Sequence, residues 1–236
     1  MKILIQFPTY GRPQKFLKAL QAYVDSCSQY NELFFNVNCD SSDLSMTNSL
    51  VHENIKRLLS KKDNIKGKIN YDGNTTKISA INDHICGLDF EIVICASDDM
   101  LPKVYAWDQE IVLAMQKHFP DLDGCVYFND GNRGEELITF SILGKKLYDY
   151  FGYIYHPDYK SLYCDDEFTQ EVKRLNKAVY IDKVIISHEH WSVAGSENYN
   201  QTDVAVQKTL HYSGRDQIIF NNRKELGFPK KRITND

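Results

Sequence analysis

Two carboxylates stand side by side at Asp98 and Asp99, directly after the apolar run Glu91-Ile92-Val93-Ile94-Cys95 and before Leu101-Pro102. A run of that kind reads as a buried strand, so its end would project both side chains from a rigid support. Paired carboxylates suit Mg²⁺ or Mn²⁺, hard cations that take oxygen ligands and keep positions open for substrate phosphates. A solvated turn capping the next helix is the competing reading. His188-Glu189-His190 follows a second apolar run, Val184-Ile185-Ile186-Ser187, and alternation along an extended segment puts both imidazoles on one side. Either could complete a shell with Asp98 or Asp99. Zinc is less well matched, because no cysteine cluster and no helical His-Glu-x-x-His spacing accompany the pair. Cys164-Asp165-Asp166-Glu167 opens a helical pattern. A carboxylate there could take a proton from an attacking hydroxyl, or it could simply favour the positive end of the helix dipole.

These groups need elements to hold them. Short apolar runs alternate with helical patterns through the first half, the signature of parallel strands joined by crossover helices. Strands are predicted at 2–7, 33–39, 65–71, 91–95 and 124–128. Helix faces are carried by Phe16, Leu17, Leu20, Tyr23, Val24 and Cys27, and by Val104, Trp107, Ile111 and Met115. Ser41-Ser42-Asp43 is read as the cap of a helix carrying Leu44, Val51, Ile55, Leu58 and Leu59, and a further helix covers about 76–86. Asp130-Gly131-Asn132-Arg133-Gly134 is a loop signal, 137–143 is extended, and 148–163 is an irregular aromatic lobe. A helix at 165–175, strands within 178–187 and one polar helix near 202–221 complete the pattern. Open parallel sheets bind ligands at the carboxyl ends of their strands. Pro8-Thr9-Tyr10, Asp40 and Asp98-Asp99 would all lie along that edge. The expected fold class is therefore α/β.

Length and composition agree. A chain of 236 residues with 42% hydrophobic residues can bury one substantial core, so one domain over 1–236 is expected, its pattern changing character after about residue 129. Acidic residues number 32 against 28 Lys plus Arg, a net charge of -4 that gives no general attraction for nucleic acid or anionic membrane. The N-terminal apolar run is too short for a signal peptide, no stretch is long enough to span a bilayer, and the six cysteines form no Cys-x-x-Cys pair, so a cytoplasmic location with reduced thiols is expected.

Taken together, Pro8-Thr9-Tyr10-Gly11-Arg12-Pro13, Asp40, the Lys77-Ile78-Ser79-Ala80-Ile81-Asn82 segment, Ser97-Asp98-Asp99-Met100-Leu101-Pro102, Asp165-Asp166 and His188/His190 resemble, in order, the family-2 type of GT-A glycosyltransferases. The resemblance spans nearly the whole chain and implies a GT-A (Rossmann-like) sheet with a smaller acceptor-side lobe, the nucleotide-sugar-binding half at 1–129 and the acceptor-side half with the C-terminal helix at 130–236. It implies a metal-dependent, inverting transfer of a sugar from a nucleotide diphosphate donor, UDP-sugars favoured, to a hydroxyl acceptor. Pro8, Thr9, Tyr10 and Arg12 would line the nucleotide site, Asp40 would bond the base and Lys77 would approach the diphosphate. Asp98, Asp99, His188 and His190 would serve Mn²⁺ or Mg²⁺, and Asp166, with Asp165 beside it, would be the base. Three departures stand out: Gly11 replaces the family's usual Asn, one position of the Asp-x-Asp motif is neutral, and Asp165-Asp166 replaces Glu-Asp.

The acceptor is less defined. Tyr148, Tyr150, Phe151, Tyr153, Tyr155, Tyr159 and Tyr163 could stack on sugars or bases, or form a small core. The cluster Arg223-Lys224 to Lys230-Lys231-Arg232 could touch DNA phosphates, or be a solvated tail. A hydroxymethylated base in phage DNA and a surface glycan are the two acceptors considered. Rival functions are a non-catalytic nucleotide-sugar or carbohydrate-binding module and a nucleotidyltransferase, although no glycine-rich phosphate loop supports the latter.

Overall fold

The computed structural model describes residues 1–73, 76–190 and 203–230. Its centre is a seven-stranded sheet in the order β3-β2-β1-β4-β7-β6-β8. The strands are β1 (Lys2–Thr9), β2 (Glu32–Asp40), β3 (Ile65–Asp72), β4 (Ile92–Cys95), β6 (Cys125–Phe128), β7 (Ile142–Gly144) and β8 (Ala178–Ile181). Strands β1 to β4 run parallel, β7 runs antiparallel to both its neighbours, and β6 and β8 are parallel. Strands β7 and β8 belong to the second half of the chain, so the expected boundary at 129/130 falls inside one continuous sheet. A separate ribbon pairs β5 (Met100–Pro102) with β9 (Ile186–His188).

Helices cover both faces, and β1 shows why. Ile3, Ile5 and Phe7 enter one core with Phe16, Leu20, Tyr23, Ile55, Trp107 and Ile111, whereas Leu4 enters the other with Ile78, Ile81, Leu147 and Phe168. Strands buried on both faces read as continuous apolar runs, which is how these were legible. Helix α1 (Pro13–Ser26) starts with Pro at its first position, where a missing N–H costs nothing. The first core also receives α2 (Ser49–Leu59) and α4 (Trp107–His118); the second receives α3 (Lys77–Asn82), α5 (Lys145–Phe151) and α6 (Cys164–Arg174).

Several boundaries differ from expectation. Helix α2 is capped by Asn48, whose side chain accepts from Leu50 N at 2.9 Å, while Leu44 is exposed in the preceding turn. Asp43 does not cap it: its carboxylate accepts from Gly11 N at 2.5 Å and ties the β2 turn to the β1 turn. The extended segment shrinks to β7, α5 invades the predicted irregular lobe, and the C-terminal helix is two, α7 (Val204–His211) and α8 (Ser213–Glu225).

Candidate active site

The parallel strands deliver their ends to one open cavity of about 190 Å³. Pro8, Thr9, Tyr10, Arg12, Asp40, Lys77, Asp98, Asp99, Asp165, His188 and His190 all line it. Of the predicted site residues only Asp166 does not. Residues that lie at distant places in the chain converge because β2, β1 and β4 are adjacent and parallel, so their following loops share an edge.

The β1 turn depends on Gly11, whose φ of 71° lies in the left-handed region. Glycine adopts it without strain, and asparagine is among the few residues that also do. Gly11 in place of the Asn expected from the resemblance is therefore compatible with a left-handed residue at this turn. Arg12 follows, and its Nη2 lies 2.8 Å from Asp98 Oδ1. Apart from this ion pair neither Asp98 oxygen accepts a hydrogen bond among the described residues, and Arg12 Nε also lacks a partner. Burial pushes the Asp98 carboxyl up; Arg12 opposes that effect and the charge of Asp99 adds to it.

Asp99 and His188 meet through the ribbon. Met100 pairs with His188 across β5 and β9, and Glu189 N donates to Asp99 O at 2.7 Å, so the preceding carboxylate falls beside the imidazole. Asp99 Oδ2 is 3.7 Å from His188 Nε2, and Ser97 Oγ donates to Asp99 Oδ1. On the other ring nitrogen, His188 Nδ1 lies 3.7 Å from Asp130 Oδ2. Asp130 is itself fixed by the backbone N–H groups of Asn132, at 2.9 Å, and Arg133, at 2.7 Å, and by Thr139 Oγ1, at 2.7 Å. Burial disfavours the imidazolium, but Asp130 and Asp99 outweigh it and raise His188 to about 9. Burial also opposes the Asp99 carboxylate, which His188, Ser97 and Lys77 nevertheless hold well below the usual range. Burial and the neighbouring His188 lower His190 to about 4. Asp130 had been legible only as part of a loop signal.

Among the described residues no three His, Cys, Asp or Glu side chains form a ready-made cation cage. The expected four-residue shell of Asp98, Asp99, His188 and His190 is thus not assembled, because Asp98 faces Arg12 and Asp99 faces His188. The donors nonetheless fit a substrate-dependent Mg²⁺ or Mn²⁺ site: Asp98 Oδ1 is paired with Arg12 but its buried Oδ2 accepts no hydrogen bond among the described residues, Asp99 is held anionic, and such cations draw their other ligands from phosphate and water.

Lys77 begins α3, whose Thr76 cap and Ser79 satisfy each other's backbone N–H groups. Burial works against its charge, but Cys164, Asp99 and Asp165 together raise its pKa. Its helix is clamped by a buried amide ladder that crosses three strands. Gln6 Nε2 donates to Asp83 O at 2.6 Å and Asn38 Nδ2 to Ala80 O at 2.8 Å. Asn36 Nδ2 donates to Gln6 Oε1, and Asn70 Nδ2 donates to both Asn36 Oδ1 and Asn38 Oδ1, each at 2.8 Å. Polar residues at alternate places inside apolar strands were the available signal for this ladder.

At the first turn of α6, the two acids differ in surroundings. Asp165 lines the cavity and its charge acts on Lys77 and His190. Asp166 is raised to about 6, first by burial and then by Asp165, and is partly held down by Arg133. Tyr163, which precedes the helix, sits at φ 63°, an uncommon conformation for an aromatic residue that fixes the entry into this turn. Beneath it Arg223 donates to both oxygens of Glu167, at 2.7 Å each, and Tyr159 Oη donates to Glu167 Oε2 at 2.7 Å.

The aromatic segment is divided: Tyr155 and Tyr159 are buried in the second core, Tyr148, Phe151 and Tyr163 pack half-buried against it, Tyr150 is exposed, and of the seven aromatic residues named only Tyr155 lines the cavity. The basic cluster is divided. Arg223 is fully buried, Lys230 Nζ lies 2.9 Å from the Tyr150 ring centroid, and Lys231 and Arg232 fall outside the described residues. Helix α7 supplies cavity residues that sequence reading missed, Val206, Lys208 and Thr209, together with Tyr212 beyond it. No helix among the described residues is long and apolar enough to cross a membrane.

No family model and no curated protein sequence matches the chain. Solved structures do. A mannosyltransferase from Pyrobaculum calidifontis in complex with GDP-Man and Mn²⁺ matches with a TM-score of 0.64 at 15% identity, covering 92% of this chain and 64% of that one. Residues 1–349 of S. aureus TarS with UDP-GlcNAc match at 0.59 and 16% identity, covering 94% and 72%. A cytidylyltransferase from Leptospira borgpetersenii matches at 0.52 and 11% identity, covering 100% and 98%. The chain spans 64% of the mannosyltransferase and 43% of a longer TarS structure. At these identities the likeness establishes the architecture: a GT-A-type α/β fold with a mostly parallel sheet.

Proposed function

We infer that the chain is a glycosyltransferase that moves a sugar from a nucleoside diphosphate to a hydroxyl acceptor. The single observation that carries this is the convergence of Asp40, Lys77, Asp98, Asp99, Asp165, His188 and His190 on one cavity at the strand ends. The fold is shared with a mannosyltransferase solved with GDP-Man and with TarS solved with UDP-GlcNAc, which supports the same donor class.

The residues divide by position. Tyr10 and Asp40 take the nucleoside, and Lys77 neutralises the diphosphate oxygens. Asp99, with Asp98 and His190 as further candidates and His188 once the cation has displaced its proton, would hold Mn²⁺ or Mg²⁺, which supplies positive charge to the departing diphosphate. Asp166 accepts the proton of the acceptor hydroxyl as its oxygen bonds to the anomeric carbon and the bond from that carbon to the diphosphate oxygen breaks. A carboxyl raised to about 6 is ionised at neutral pH yet basic enough for this task. One displacement inverts the anomeric centre, and one placed base is what that requires.

The likeness to a cytidylyltransferase supports a second reading, nucleotidyl transfer on the same sheet. The product separates the two. Incubation with UDP- and GDP-sugars, Mn²⁺ and either hydroxymethylated DNA or glycan acceptors is expected to release nucleoside diphosphate; pyrophosphate released from a nucleoside triphosphate would install the alternative. Saturable binding with neither product would leave a nucleotide-sugar-binding module.

A further inference from the structure

One corner of the cavity carries a pair of opposite charges drawn from the two ends of the chain. Asp40, at the end of β2, is 4% exposed. Its Oδ1 is committed to Ser42, accepting from N at 3.0 Å and from Oγ at 2.7 Å. Its Oδ2 accepts from Lys208 Nζ, on α7, at 3.1 Å. The same ammonium lies 3.7 Å from the centroid of the Tyr10 ring, close enough for the ring face to hold the cation. Asp203, which caps α7 through Ala205 N, is 3.9 Å from Arg12 and 3.7 Å from Lys15, so the helix is also moored to the β1 turn.

Both Asp40 and Lys208 line the cavity, and the Lys208 side chain is 31% exposed. An ammonium has three N–H donors and a carboxylate oxygen two lone pairs, so each keeps hydrogen-bonding capacity after pairing. A ligand at this corner therefore meets an acceptor and a donor side by side, both held in place. Uracil and guanine present the complement: a ring N–H next to a carbonyl. Cytosine and adenine present the reverse, a bare ring nitrogen next to an amino group, which would set lone pair against carboxylate and N–H against ammonium.

Resting on the nucleotide-sugar reading above, the geometry points to Lys208 as the residue that, with Asp40, selects donors whose base carries an adjacent N–H and C=O, namely uracil or guanine nucleotides. Asp40 takes the N–H and Lys208 donates to the carbonyl, while Tyr10 keeps the ammonium from swinging away. A base of the reverse pattern leaves both partners unsatisfied, which is how polar sites reject near-isosteric ligands.

Isothermal titration of UDP, GDP, CDP and ADP with Mn²⁺ into the full chain tests this. The tighter of UDP and GDP is expected to bind at least about tenfold better than CDP and ADP. Lys208→Met, which keeps the aliphatic stem, is expected to lose about tenfold for that nucleotide and less than about twofold for CDP and ADP, and Lys208→Arg to retain the order. A wild-type protein that binds CDP or ADP as well as UDP and GDP overturns the assignment without any variant. So does a folded Lys208→Met protein whose preference over CDP and ADP is undiminished, or one that binds all four more tightly, since Lys208 would then be a structural ion pair or an occupant that donors displace. Failure of all four to bind the wild type removes the donor site itself, and this inference with it.

Discussion

Arg12 and Asp98 form an ion pair of 2.8 Å in which the carboxylate is 3% exposed and the guanidinium 20%. Removing the cation leaves a buried acid that must be protonated or pay for its charge. Arg12→Ala is expected to cost about 2–3 kcal/mol in urea unfolding, and Arg12→Ala with Asp98→Asn to recover a large part of it. Additive losses in that double-mutant cycle would mean that the pair is not coupled.

Asp166 gives a pH dependence with a definite sign. The reactive form is the carboxylate, so kcat/KM should fall about tenfold per unit as pH drops below about 6 and level off above about 7. Asp165 helps to raise this acid and Arg133 to lower it. Asp165→Asn should therefore move the inflection to lower pH and Arg133→Ala to higher pH. A profile that ignores both substitutions would assign the proton to another group.

Asp166→Asn should lower turnover by at least about a hundredfold while leaving the Kd for nucleoside diphosphate within about threefold of wild type. Asp165 lines the cavity and Asp166 does not, so the two isosteric variants decide which acid serves. Full activity in Asp166→Asn with loss in Asp165→Asn would transfer the role by one residue.

Lys77 should report on phosphate rather than base. Lys77→Met is expected to weaken UDP and GDP by roughly ten- to a hundredfold and to leave the bare nucleosides unchanged, the scale of a lost charge-assisted hydrogen bond. Equal losses for nucleoside and diphosphate would place Lys77 elsewhere along the donor.

Arg223 belongs to the interior rather than to a basic surface. Arg223→Met strands Glu167 beneath the α6 turn and should cost about 3 kcal/mol, visible as a lowered Tm. Lys224→Ala, one residue away on the exposed side, should change stability by less than about 0.5 kcal/mol. Similar effects from both would contradict the buried network.

The parts of the site that could be read in the chain are those set by local pattern. Pro8-Thr9-Tyr10, Asp40 and Asp98-Asp99 each follow an apolar run, and a parallel sheet brings run ends together whatever the spacing between them. The partners of those residues were not legible. Nothing about Lys208 in a short polar helix pattern links it to Asp40 across the whole fold. The Arg12–Asp98 pairing depends on the turn that Gly11 permits, and Asp43 reads as a helix cap until its carboxylate is seen to face Gly11 N. Composition left Tyr148 to Tyr163 open between a stacking surface and a small core, and only packing decides: Tyr155 and Tyr159 are buried in the cluster that also takes Ile78, Ile81 and Phe168 from α3 and α6.

The return of the chain to its own beginning has a practical consequence. Asp216 on α8 accepts from the N–H groups of Lys160, Ser161 and Leu162, and α7 leans on Gly11, Arg12 and Tyr10. A fragment ending at residue 129 would own β1 to β6 and Asp98 but lack β7, which lies between β4 and β6, and with it the part of the nucleotide-facing wall that α7 supplies. Expressed as two pieces, the halves should recover ligand binding only when mixed, which makes the cavity itself a sensor of whether the two pieces have reassembled.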